Sequence, residues 1–190
     1  MAGPDTMNAI EALHQRASMP RLNGPAPGQE ALDNIFRAAL RAADHGLLRP
    51  WRFLTIQGES LHRLGNLFAA VAEHDNPEMN PNELDKVRRK PLRAPLIVVV
   101  ISSPREHPKV PVFEQDLSAA AATQNMLVAA FAQGLGAMWR TGSMAYHPQV
   151  KQGLGLQTDE KIIGFLYLGE AAAPGKKVMS EDPAKFVQEW

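Results

Sequence analysis

Leu96-Ile97-Val98-Val99-Val100-Ile101 is the strongest apolar run in the chain, and its reading decides the fold. It is far shorter than the ~20 residues needed to cross a bilayer, so it reads as a buried strand. A Pro-rich loop, Pro104 to Pro111, follows it. Beyond that a helix is expected from about Glu114 to Gln133, nearly apolar all round through Leu117, Ala119 to Ala122 and Met126 to Phe131. Such a helix is expected to be packed on every side, in the middle of the core and of a subunit interface.

Upstream, Asn8 to Arg16 reads as a helix with Asn8 as N-cap and Glu11 placed to return a capping bond. After the turn Pro25-Ala26-Pro27-Gly28, Leu32, Ile35, Phe36, Ala39 and Leu40 recur at amphipathic-helix spacing. Asp44, Gly46 and Pro50 make Ala42 to Pro50 a loop. It leads to a strand at Trp51 to Gln57 and a helix from Glu59 to about His74, with Leu61, Leu64, Phe68 and Val71 inward. Asn82 to Arg93 is a strongly charged helix or turn. Downstream come a short strand at Ala137 to Trp139, a helix near His147 to Leu154 and a strand at Lys161 to Leu168. The strands are few and the crossovers irregular, which favours an α+β, three-layer α/β/α architecture over a doubly wound parallel sheet. One domain over residues 1–190 is expected, with 171–190 as a C-terminal arm. The arm's apolar end, Phe186, Val187 and Trp190, needs cover, either from its own subunit or from a partner.

Twenty Lys and Arg balance twenty Asp and Glu, so no overall field draws in nucleic acid or an anionic membrane. The absence of cysteine removes disulfides, thiolate nucleophiles and sulfur-ligated metals, and fits a reducing cytoplasm. Met1 to Arg16 lacks the apolar run of a secretory signal and does not resemble a transit peptide, so the mature protein is expected to start here. No Gly-x-Gly-x-x-Gly, phosphate-loop or Gly-x-Ser-x-Gly pattern occurs, and the six histidines form no His-x-x-x-His pair. No metal site is expected.

Two segments carry the candidate chemistry. Arg16-Ala17-Ser18-Met19-Pro20-Arg21 places two guanidiniums and a hydroxyl within a few residues, a composition suited to a phosphate dianion. Gly134-Leu135-Gly136-Ala137-Met138-Trp139-Arg140-Thr141-Gly142 is glycine-flanked, so its backbone can approach a flat ligand closely. Read as residues alone, these are a phosphate-bearing cofactor site, or a solvated basic helix end beside an ordinary helix-to-strand connection. Arg41 and His45 would share a helical face if the helix persisted, and are otherwise a surface pair. Lys86, Arg88, Arg89, Lys90 and Arg93 form a basic run, mostly a solvated face balanced by Glu83 and Asp85.

Arg16-x-Ser18, Arg49-Pro50-Trp51-Arg52-Phe53 and the glycine-rich loop together resemble the FMN-dependent nitroreductase family, in particular its short NAD(P)H nitroreductase branch. The resemblance covers the whole chain. It departs from the family's usual Arg-Arg-Ser-x-x-Arg at Ala17, and Arg49 stands where the family has Gln. It implies a nitroreductase-like fold with a mixed, mainly antiparallel sheet and helices on both faces, in an intertwined homodimer with FMN at the interface. It assigns cofactor contacts to Arg16, Ala17, Ser18, Arg21, Arg41, His45, Trp139, Arg140, Thr141 and Lys176, with Lys177 an alternative in the tail. It assigns NAD(P)H contact to Ala129, Ala130, Phe131, Ala132, Gln133 and Gly134, a stretch that also reads as a helix C-terminus capped by Gly134. The implied activity is reduction of nitroaromatic, quinone or related small-molecule acceptors by NADPH or NADH in a ping-pong cycle, with no catalytic side chain. A flavin carrier or sensor without efficient turnover is the alternative.

Overall fold

In this computed structural model, residues 7–173 and 178–190 are described. The elements in chain order are α1 (Ala9–Gln15), β1 (Leu22–Asn23), α2 (Gln29–Ala39), β2 (Trp51–Gln57), α3 (Glu59–Asp75), α4 (Pro81–Arg88), β3 (Leu96–Ser102), α5 (Val112–Ala132), β4 (Gly136–Arg140), α6 (Ser143–Tyr146), α7 (Pro148–Gly153) and β5 (Lys161–Ala171). The aliphatic run is β3, and every residue of it is buried. It lies between β2 and β5, and β4 and β1 both pair with the opposite edge of β5. All four of these pairings are antiparallel.

Alternation along β3 explains why no polar residue interrupts it. Ile97, Val99 and Ile101 face a core closed by Leu61, Leu64, Phe68 and Val71 of α3. Leu96, Val98 and Val100 face a second core built by Ile35 of α2 and Ala122, Met126 and Ala130 of α5. Helices therefore cover both faces of the sheet, as the three-layer expectation required. Fully burying each of these aliphatic side chains contributes roughly 1.5–3 kcal/mol, which makes β3 the axis of the fold.

The Asn8 cap forms, with the Glu11 amide donating to Asn8 Oδ1 at 2.9 Å. The return bond does not: the Glu11 carboxylate instead accepts from Gln15 Nε2 at 3.2 Å. α5 is not packed on every side. Val112, Phe113 and Leu117 in its first turns are 45%, 69% and 53% exposed. The arm does not fold back on its own subunit either, since Phe186, Val187 and Trp190 are exposed. Apolar surface that the sequence assigns to a core or to a subunit interface is thus, in one chain, left facing outward. Among the described residues no helix is long and apolar enough to cross a membrane.

Candidate functional site

The two candidate segments meet. After α1 ends, the chain runs alongside β4, and the Met19 amide donates to Ala137 O at 2.9 Å. From β4 the Arg140 Nη2 donates back to Pro20 O at 3.2 Å. Arg16 Nη1 reaches Ser18 Oγ at 3.5 Å, which puts the guanidinium and the hydroxyl on one spot. β1 then carries the chain onto the end of β5, where Leu22 pairs with Ala171.

Alternation along β4 gives its side chains different roles. Trp139 faces the α5 side of the sheet and its indole N–H donates to Ile163 O at 3.1 Å. Gly164 makes that seat possible, because a Cβ there would collide with the Trp139 indole. Arg140 faces the α3 side, its guanidinium carbon 5.4 Å from the centre of the Tyr167 ring. A cation over an aromatic face is held electrostatically. Its Nε is buried and has no hydrogen-bond partner. Burial pushes the Tyr167 phenol up, against the opposite pull of Arg140 and Arg93.

Thr141 and Gly142 lie beyond the last residue of β4 paired with β5, so their amides carry no ladder bonds. Gly142 has φ of 78° and open space where a Cβ would stand, so a flat group can approach the backbone there. Trp139 to Gly142 line a cavity of about 350 Å³ together with Lys90 and Arg93. A neighbouring cavity of about 580 Å³ shares Arg93 and Arg140 and adds Arg21. Of the phosphate candidates, the structure joins Arg16 to Ser18 and sets Arg21 beside Arg93 and Arg140. Lys176 and Lys177 lie outside the described residues.

Arg41 and His45 do not share a helical face, because α2 ends at Ala39. His45 sits in a 3₁₀ turn and its Nδ1 contacts Glu114 Oε2 on α5 at 2.7 Å. Neither residue lines the cavity at Arg140. Ala129 to Gly134 form a capped helix end in which Gly134 N donates to Phe131 O and Leu135 N to Ala130 O, the paired bonds of a Schellman motif. Ala130 is fully buried, and the Gln133 amide is taken up by Ala129 O at 2.9 Å and by Asn34 Nδ2 at 3.2 Å.

Sequence reasoning gives no site role to Lys90, Arg93 and Tyr167, which line the cavity. Lys90 and Arg93 belong to a basic run whose spacing specifies nothing, and Tyr167 to an apolar strand. In the folded chain Asp85 takes Arg88 and Arg89, at 3.9 and 2.8 Å. Lys90 and Arg93, in the 3₁₀ turn that follows α4, face the cavity instead. No group of three or more metal-ligating side chains occurs among the described residues.

Comparison with known proteins gives the chain's family and fold. The chain is 41% identical over 184 residues to the Escherichia coli (strain K12) protein named "Putative NAD(P)H nitroreductase YdjA", covering 95% of this chain and 98% of that one. A nitroreductase-like family protein from Bacillus cereus superposes with a TM-score of 0.83 at 21% identity, covering 100% of this chain and 99% of the other. A point mutant of NfnB, an FMN and NADPH-dependent nitroreductase from Sphigopyxis sp. strain HMH, does so with a TM-score of 0.75 at 19% identity, covering 96% and 99%. At those identities the structures establish a shared nitroreductase-like fold. The model of the Nitroreductase family matches residues 13–170, a span that holds the Arg16 to Arg21 segment, both cavities and every strand pairing but the last residue of β5, and the chain belongs to that family.

Proposed function

We propose that the protein is an FMN-dependent NAD(P)H oxidoreductase that reduces nitroaromatic, quinone or related acceptors. The observation that carries this reading is the junction of the Arg16 to Arg21 segment with the β4 edge, through Met19 to Ala137 and Arg140 to Pro20. It joins a segment of phosphate-binding composition to the strand edge that leads into an open backbone. FMN supplies, when bound, acceptance of hydride from NADH or NADPH and its delivery to a second substrate at the same ring face.

The residues fit such a group. Arg16 and Ser18 offer a charge-assisted and a neutral hydrogen bond to the phosphate, which carries about 1.5 to 2 negative charges. Ala17 offers its backbone, and the family resemblance adds Arg21 or a tail lysine, Lys176 or Lys177, as a further cation. Thr141 and Gly142, whose amides carry no ladder bonds and which line the Arg140 cavity, would meet the ring there, with the unpartnered Nε of Arg140 as a buried donor. Orientation, electrostatics and exclusion of water are then the whole protein contribution, and no side chain has to act as nucleophile or proton carrier.

The reading includes a homodimer with FMN at its interface. It is supported by the uncovered Phe113 and Leu117 on α5 and by the uncovered Phe186 and Trp190 of the arm. In that assembly Arg41 and His45, remote from the Arg140 cavity of their own chain, would serve the partner's flavin. The cysteine-free composition is the ground for placing the enzyme in the cytoplasm.

The deciding experiment is the absorption spectrum of FMN-supplemented, desalted protein, followed anaerobically after NADPH or NADH is added. Flavin bands that bleach rapidly are expected. Bands that persist would make the protein a flavin carrier, and a colourless preparation would remove the flavin reading.

A further inference from the structure

Arg140 is held in place without a counter-charge. No carboxylate pairs with it among the described residues. Two further cations, Lys90 and Arg93, line the same cavity, and like charges repel. Its Nη2 donates to Pro20 O at 3.2 Å, but its Nε is buried with no acceptor. A long side chain so placed would gain by swinging into water, where Nε is solvated, the repulsion is screened and rotamer freedom returns. The contact that opposes this is the ring of Tyr167, with the guanidinium carbon over it at 5.4 Å from the centre.

Strand register sets this contact. Tyr167 on β5 stands opposite Met138 on β4, two residues before Arg140 and on the same face of the sheet, so the arginine reaches it along the diagonal. Tyr167 is 4% exposed, and a cation meets an aromatic face most strongly where water is excluded. Burial keeps the phenol protonated, so what it offers Arg140 is the face of its ring and not a negative charge. We propose that Tyr167 is a positioning residue, whose ring fixes the Arg140 guanidinium beside the flavin so that its charge favours the reduced cofactor. The inference rests on the flavin reading for what the fixed charge acts on, and on the contact alone for its being fixed. A charge held ready where negative charge develops needs no reorganisation at the moment of transfer, whereas a side chain free in water does.

Tyr167→Phe keeps the ring and Tyr167→Leu removes it, and two readouts separate them. The first needs no flavin. In the nuclear magnetic resonance spectrum of nitrogen-labelled full-length protein, the Arg140 Nε–H should give a signal shifted upfield by the ring and slow to exchange with water, identified by its loss in Arg140→Lys. The signal should stay in Tyr167→Phe and leave that position in Tyr167→Leu while the backbone amides of the sheet remain dispersed. An unshifted Arg140 signal in the parent overturns the proposal, whether or not the Leu variant folds. The second readout is the potential of bound FMN. Tyr167→Leu should lower the ratio of reduced to oxidised flavin affinity about tenfold, a potential about 30 mV more negative, and Tyr167→Phe should leave it at the parent value. A Leu variant with the parent's potential, or a Phe variant as far displaced as the Leu variant, overturns the proposal. Protein that shows the shifted signal but takes up no FMN upholds the hold of Tyr167 on Arg140 and removes the flavin reading. FMN-loaded, turning-over protein with an unshifted signal does the reverse.

Discussion

Arg52 grips Glu160 in a two-point fork, Nε to Oε1 and Nη2 to Oε2, each 2.6 Å. The carboxylate side chain is 4% exposed and also accepts the Gln157 amide at 2.8 Å. The pair bolts the start of β2 to the turn that launches β5, although the two residues are 108 positions apart. The Arg52 hydrogen bonds hold the Glu160 carboxyl at about 2, against burial that pushes it up. A carboxyl lowered in the folded state contributes stability that is present above its unfolded value of about 4.3 and is lost as pH falls toward the folded value. Glu160→Gln should therefore cost about 2 kcal/mol at pH 7, the scale of a hydrogen bond to a charged group, with Arg52's partial exposure holding it below the full buried-pair figure. Urea unfolding of both proteins from pH 7 down to about 2 checks this. The gap should close between about pH 5 and 2, and a gap that does not change with pH would place the effect elsewhere.

Gly164 leaves room for the indole of Trp139, which in turn fixes the strand edge carrying Arg140 and Thr141. Gly164→Ala forces a methyl group against that ring. Overpacking of this kind costs about 1–3 kcal/mol. The denaturation midpoint should fall accordingly, and FMN affinity should fall with it because the edge moves. A variant as stable as the parent would show that the indole is free to swing away.

The sheet and its helices are largely legible in the sequence because local periodicity reports burial. The expected bounds of β2, Trp51 to Gln57, coincide with the observed strand, and those of β3 and α3 agree to within one residue. What periodicity cannot report is which distant segments meet. Lys90 and Arg93 differ from Arg88 and Arg89 only in where the 3₁₀ turn after α4 points them, a fact of tertiary packing. The same limit hides the Arg52 to Glu160 pair. Arg41 and His45 would share a face only if the helix persisted, and it stops at Ala39, ahead of the loop expected from Ala42 to Pro50. α5 reads as nearly apolar all round and as part of a subunit interface, but periodicity does not say which of its turns the chain itself leaves uncovered; these are the first ones, at Val112, Phe113 and Leu117.

That uncovered side gives the next prediction. Phe113 is 69% exposed in the first turn of α5, with Val112 and Leu117 beside it. Contiguous exposed apolar side chains mark an interaction surface. Phe113→Asp should shift the protein from dimer toward monomer in sedimentation velocity, while circular dichroism stays unchanged. A monomeric parent protein would remove the dimer and, with it, any role for Arg41 and His45 at a partner's flavin.

Arg16 tests the cofactor assignment most directly. It is half-buried at the end of α1 and 3.5 Å from Ser18, with no carboxylate partner among the described residues. Removing it takes away one charge-assisted hydrogen bond to the phosphate, worth about 2 kcal/mol, which corresponds to roughly 30-fold in affinity. Arg16→Ala should therefore weaken FMN by that factor in a fluorescence titration, and Arg16→Lys by less, since a point charge keeps the attraction and loses the fork. Riboflavin, which lacks the phosphate, supplies the internal control: its affinity should be the same in Arg16→Ala as in the parent. If both flavins weaken together, Arg16 acts by positioning the segment that leads to β4 rather than by binding phosphate. If neither changes, the phosphate lies elsewhere, and the Arg21, Arg93 and Arg140 cavity becomes the place to look for it.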